Sequence, residues 1–319
     1  MAQRPPNLTE IQKTRLAILE PALKAAVRNA DYPLAKVCLA DIQALLRTTG
    51  HETRLMQSKN WLFEAALNAG EIYTAERGFR GVIEKTSPNT KVHLEATAFL
   101  VVCLLRQKKI SEAEPLIKSV LEGKSIRTQV TRREFIRCVT ERYQLEGYIS
   151  AIQNLGDDVL NSNEIDEKAI EAITNKTEEE LYQEIGNALP KEVIDFVFRV
   201  DSASRKQLTM VEVLYLPSPM QQAKKTEQGK SFFISLKLVL WKSLCDPQSE
   251  IYKAWYTQGV SQVFSKKYYA VVVTGALLDM GFAIKAIAIP ATALLMKLGL
   301  EVYCDRYKPS EILGSKNNG

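Results

Sequence analysis

Two histidines, five cysteines and no long uncharged apolar run limit what this 319-residue chain can be. With only His51 and His93 available, a histidine-rich metal site is excluded. The cysteines (Cys38, Cys103, Cys138, Cys245, Cys304) are odd in number, far apart and set among apolar neighbours, with no C-x-x-C spacing. That pattern predicts buried free thiols in a reducing compartment. The N-terminal MAQRPPNLTEIQK lacks the apolar core of a secretory signal, so a cytoplasmic protein is expected. Catalytic signatures are missing too. Gly123-Lys124-Ser125 and Gly229-Lys230-Ser231 look like ends of a phosphate loop, but Lys118 and Lys224 stand where its first glycine belongs. His93-Leu94-Glu95 is followed by no P-C-x-x-C that would complete a deaminase zinc site, and no G-x-S-x-G occurs. A non-enzymatic chain without cofactor is the expectation.

Charge of one sign is not in large excess. The 42 basic and 37 acidic side chains leave +5, which permits an anionic partner without demanding one. Apolar residues at 46% and charged residues at 25% are ordinary globular values, and the length allows two cores. The most apolar region, residues 268–304, is interrupted by Asp279, Lys285, Lys297 and Glu301, which leaves uncharged stretches of only 11 residues. A spanning helix needs about 20. Burying Asp279 or Lys285 at a bilayer centre would cost roughly 3 kcal/mol each. Two short helices that close a protein core are predicted here, with no constitutive membrane insertion.

What is present is a repeat. ADYPLAKVCLADI (30–42), GEIYTAERGFRGV (70–82), KKISEAEPLIKSV (108–120) and EGYISAIQNLGDD (146–158) align on Ala35, Ala75, Ala113 and Ala151, spaced 40, 38 and 38 residues apart. Four residues after each alanine stands a larger apolar residue: Leu39, Phe79, Ile117 and Leu155. A small side chain suits a close helix crossing, and the larger one a turn later fills the gap to the next hairpin. This layout resembles the tetratricopeptide repeat (TPR), two antiparallel helices in about 34 residues. The units here run longer, and the resemblance covers the N-terminal half only. It implies a TPR-like α-solenoid over residues 1–160 whose concave groove binds a protein partner. The groove contacts it implies are Asn60, Glu64, Arg106, Arg133, Arg137 and Tyr143. The clamp by which some TPR proteins hold a C-terminal carboxylate is not reproduced, since Glu20, Lys24, Ala98 and Val102 stand among its positions. Ser111 with Glu114, and Thr131 with Glu134, fit capping boxes that would open two of the helices.

The second half reads as an acidic helical linker (161–190), a smaller α+β, mostly helical domain (191–308) and a mobile tail (309–319). Thr177 with Glu180 predicts a helix over 178–188, whose acidic first turn suits the helix dipole. VIDFVFRV (193–200) and MVEVLYL (210–216), rich in β-branched and aromatic residues, predict two antiparallel strands. Residues 223–230 read as a surface loop, 231–244 as a helix, and Asp246-Pro247 as the start of another. A basic strip (Lys124, Arg127, Arg132, Arg133, Arg137, Arg142) invites nucleic acid, which Glu134 and Glu141 nearby disfavour. The reading is a mainly α adaptor or sensor whose C-terminal domain relays the response. A membrane-acting effector that releases its 268–304 helices is the rival.

Overall fold

A computed structural model describes residues 5–122, 125–126, 128–152, 155–206, 208–214, 224–245, 267–279, 282–299 and 302–304. They fall into two compact units. Of the described residues, the first holds those up to Val139 together with Lys206–Val213, and the second holds Thr140–Arg205 and those from Leu214 to Cys304.

The first unit is built from α1 (Glu10–Arg28), α2 (Tyr32–Leu46), α3 (Glu52–Asn68), α4 (Ile72–Lys85), α5 (Lys91–Arg106), α6 (Ile110–Glu122) and the start of α7 (Gln129–Ile152). From α1 to α6 each helix packs on the next, and α1 also touches α3 as α3 touches α5. Ala35, Ala75 and Ala113 are fully buried, as are Phe79 and Ile117 one turn on, so the aligned residues do sit at helix contacts. The turns between paired helices repeat as well. Ala30, Gly70 and Lys108 all have positive φ, at 53°, 86° and 58°. In each turn the next amide reaches back five residues: Asp31 to Ala26 O (2.8 Å), Glu71 to Ala66 O and Lys109 to Leu104 O (both 2.9 Å). This is the left-handed helix cap that satisfies the orphan carbonyls of a last turn. Glycine suits it; Ala30 and Lys108 adopt it at about 1 kcal/mol each.

The fourth unit departs from the expectation. Helix α7 runs unbroken through Tyr143, Glu146 and Ala151, so residues 146–152 end a first helix instead of starting a second. No residue with positive φ interrupts the helix near Glu146, the position equivalent to Ala30, Gly70 and Lys108. Helix starts also shift. Thr9 with Gln12 forms a full capping box for α1, whereas Ser111 and Thr131 lie inside helices that begin at Ile110 and Gln129.

The second unit gathers the end of α7 with α8 (Ser162–Asn175), α9 (Glu178–Ala188), α10 (Lys191–Arg205), α12 (Lys225–Leu244), α13 (Lys267–Asp279) and α14 (Lys285–Leu298); the short α11 (Met210–Val213) belongs to the first. Among the described residues the two strands expected of an α+β domain do not form. Residues 193–200 lie within α10, with Val193, Val197 and Val200 fully buried along one helical stripe. That i, i+4, i+7 spacing outweighs the β-branched composition that suggested a strand. Residues 210–213 are helical and Leu214 is in a turn, and residues 215–216 of that predicted strand lie outside the described residues, as do the expected helix after Asp246 and the tail 309–319. Extended pairing among the described residues is a parallel ladder of β1 (Leu155–Asp157) with β2 (Phe282–Ala283). The segment expected as a linker supplies Ile165, Ala169, Leu181 and Ile185 to the core. Thr177 and Glu180 form the predicted box, and α9 spans Glu178–Ala188.

Residues 225–230, expected as surface loop, open α12 because they cross α9 at contact distance. A Cβ on Gly186 would stand 1.9 Å from Lys225 O, and one on Gly229 would stand 1.8 Å from Tyr182 O. Only glycine admits such an approach. The apolar helices α13 and α14 have 13 and 14 residues, and no described helix is long and apolar enough to cross a membrane. Two of the charges that broke the apolar run have structural partners. Lys285 Nζ meets Glu164 at 2.9 Å, and Lys297 Nζ donates to Lys176 O at 2.5 Å, which pins both ends of α14 to α8. Hydrogen bonds from Lys168 and Lys285 hold the Glu164 carboxyl down at about 2. The cysteines correct the sequence reading: Cys38, Cys103 and Cys138 are buried free thiols, but Cys245 and Cys304 form a disulfide.

Candidate functional site

The groove implied by the repeat lies along the first helices of successive hairpins. Its predicted contacts divide into two kinds. Asn60 is fully buried, with Nδ2 donating to Val92 O at 3.0 Å and Oδ1 left without a partner. Tyr143, in the second unit, is also fully buried, and burial holds its hydroxyl well above the usual phenol range. Neither offers side-chain surface to a partner. Arg106 is half-buried, and its Nη1 donates to Leu67 O at 2.8 Å. Asn68, 38 residues earlier in the same register, donates to Val27 O at 3.3 Å. The two therefore act as equivalent pins between consecutive first helices, each adding a side-chain bond to a last-turn carbonyl that also accepts from the turn's own amide, Ala30 N at Val27 O and Gly70 N at Leu67 O. That role was visible in the sequence as shared register, and the groove assignment overlooked it.

Glu64 and Arg133 are half-buried and Arg137 is exposed, so these three keep accessible surface. Arg133 and Arg137 lie one turn apart on α7. Among the described residues, two arginines of the wider basic strip are engaged within the protein. Arg132 Nη2 donates to Leu121 O at 2.6 Å, and Arg142 pairs with the fully buried Glu146 at 2.8 Å. Lys124 and Arg127 lie outside the described residues. Arginines engaged by a helix-end carbonyl and by a buried carboxylate leave fewer for phosphates.

Helix α5 limits the groove further. Every side chain from Leu94 to Leu105 is buried, including Ala98 and Val102, where the resemblance places ligand contacts. A helix apolar all round is a core helix. Open surface lies instead on the first two hairpins. There Lys24 Nζ sits 4.5 Å above the ring of the half-buried Trp61. Beside them Arg54 grips Glu20 with both Nε (2.7 Å) and Nη2 (3.0 Å). This two-pronged pair fixes the carboxylate's orientation. Trp61 was not singled out from the sequence, although it falls one residue after Asn60, on the groove side of the repeat. Compared with protein-family models, curated proteins and solved structures, the chain matches none of them.

Proposed function

We propose that this chain is a non-enzymatic interaction protein whose N-terminal hairpins form a TPR-like solenoid and hold a protein segment against the first-helix face of hairpins one and two. The observation that carries the reading is the recurrence of one turn geometry and one inter-helix pin at the sequence repeat's own spacing. Stacked hairpins of this kind keep their core fixed while the residues on the open face vary with the ligand. That face combines an aromatic ring, a cation over it, and the carboxylates of Glu20 and Glu64. It suits an extended peptide of mixed charge. A half-exposed tryptophan is the side chain most enriched in energetic centres of interfaces. Arg137 extends the candidate surface on α7. The second unit relays or executes the response. A lipid-directed role for α13 and α14 has less support, because helices of about 20 Å do not span a hydrocarbon core of about 30 Å.

The test is capture and identification of partners by the intact chain, followed by binding of the purified partner to variants. Trp61→Ala with Lys24→Glu is expected to weaken binding about 100-fold, while Arg133→Glu with Arg137→Glu reports on the α7 surface separately. A partner bound equally well by both double variants would remove this face from the account.

A further inference from the structure

The repeat also shows which surface of α1 is unpartnered. Ile18 is 67% exposed, yet its equivalents Ser58 and Ala96, at the 40- and 38-residue spacings, are fully buried. Ala25 is half-buried where Ala65 and Cys103 are fully buried. This register is covered in α3 and α5 because the preceding hairpins pack on it, α2 on α3 and α4 on α5. No described hairpin precedes α1. Ile11, two turns before Ile18 on the same stripe, is 76% exposed. A helix face that nothing covers is ordinarily polar, and this one turns out isoleucine.

We propose that this face docks onto the same face of a second copy, with α1 antiparallel to α1 in a two-fold dimer. The charges choose that occupant and that orientation. Glu10 lies in the first turn of α1 and Arg28 in the last, both exposed. They are 18 residues apart, five full turns at 3.6 residues each, so they share one flank of the helix. Antiparallel pairing brings the two Ile18 side chains together at the centre with Ile11 beside Ala25, and sets Glu10, which also holds Lys13 at 2.7 Å, two residues (about 3 Å) from the level of Arg28 of the second copy at both ends, within reach of these long side chains. Parallel pairing would instead set like charge against like. Antiparallel helix dipoles favour the same arrangement. Symmetric self-docking of one patch is also the commonest way for a soluble chain to associate.

The experiment is sedimentation equilibrium of the full 319-residue chain and its variants over a wide concentration range. The intact chain is expected to dimerise. Arg28→Glu breaks two symmetry-related pairs and should weaken the dimer about tenfold. Adding Glu10→Arg to that variant should restore it, which a purely structural role for Arg28 would not predict. Ile18→Asp, at an exposed position, should abolish the dimer without unfolding the chain. Ile18→Cys should cross-link copies under oxidation. A monomer at every concentration overturns the proposal, and so does a dimer indifferent to Ile18→Asp or a charge swap that restores nothing.

Discussion

Glu95 holds its carboxylate inside the first unit, with Lys91 Nζ at 3.4 Å one turn back and Oε2 without a partner. Burial pushes its carboxyl above the usual carboxylate range, against the pull of Lys91 and a hydrogen bond from Gln57. A raised folded-state value means the protonated form is the one the fold prefers. The group's contribution to stability is therefore complete below the ordinary range and is lost as pH rises through the elevated one. Glu95→Gln removes the titration and keeps the shape. It is expected to stabilise the chain by on the order of 1 kcal/mol at pH 7, with the gain vanishing near pH 4. Urea melts of both proteins at several pH values would check this; a gain that does not grow with pH would show that ionisation at Glu95 is not what the fold opposes. Sequence reading met this residue as half of a zinc motif, and Asn60 as a groove contact. Both are polar residues on helices whose other faces are also buried, and a single helix's pattern does not reveal how many sides are covered.

Helices were legible where one physical signal dominated. The capping box at Thr177 placed α9 to the residue, and the alanine register placed α2, α4 and α6. Reading failed where two signals competed. In α10 the β-branched content masked a helical stripe through Val193, Val197 and Val200. In residues 225–230 the glycine and lysines looked like a loop, because the reason for Gly229 lies on another helix. That reason can be tested. Gly229→Ala forces a methyl against Tyr182 O, which backbone cannot yield cheaply, and is expected to destabilise the second unit by about 3 kcal/mol or more. Gly275→Ala on α13 is the matched control. A Cβ there meets nothing within 4 Å. It should stabilise by up to about 1 kcal/mol through helix propensity. Thermal melts of both variants decide it, and a neutral Gly229→Ala would mean that α9 and α12 can separate without penalty.

At the scale of the molecule, the sequence called for a reducing compartment and the fold joins two of its five cysteines. Counting cysteines gave no warning, since an odd total with wide spacing describes three thiols and one long-range pair as well as five thiols. Cys245 ends α12, and Cys304 lies 59 residues on, with α13, β2 and α14 between them. Trp241 Nε1 donates to Cys304 O at 3.0 Å beside the bond, so an indole reports on this junction. Closing a loop of that length removes entropy from the unfolded chain worth about 4 kcal/mol. The second unit should therefore melt at a distinctly lower temperature with dithiothreitol than without it, while the first unit, whose free cysteines are buried, should be unchanged. Alkylation of the denatured, unreduced chain counts the thiols directly. Three labels are expected, with Cys38, Cys103 and Cys138 the sites. Five labels, together with a melt that dithiothreitol does not move, would restore the reducing-compartment reading. The hold on α14 would then fall to Glu164 and the Lys176 carbonyl.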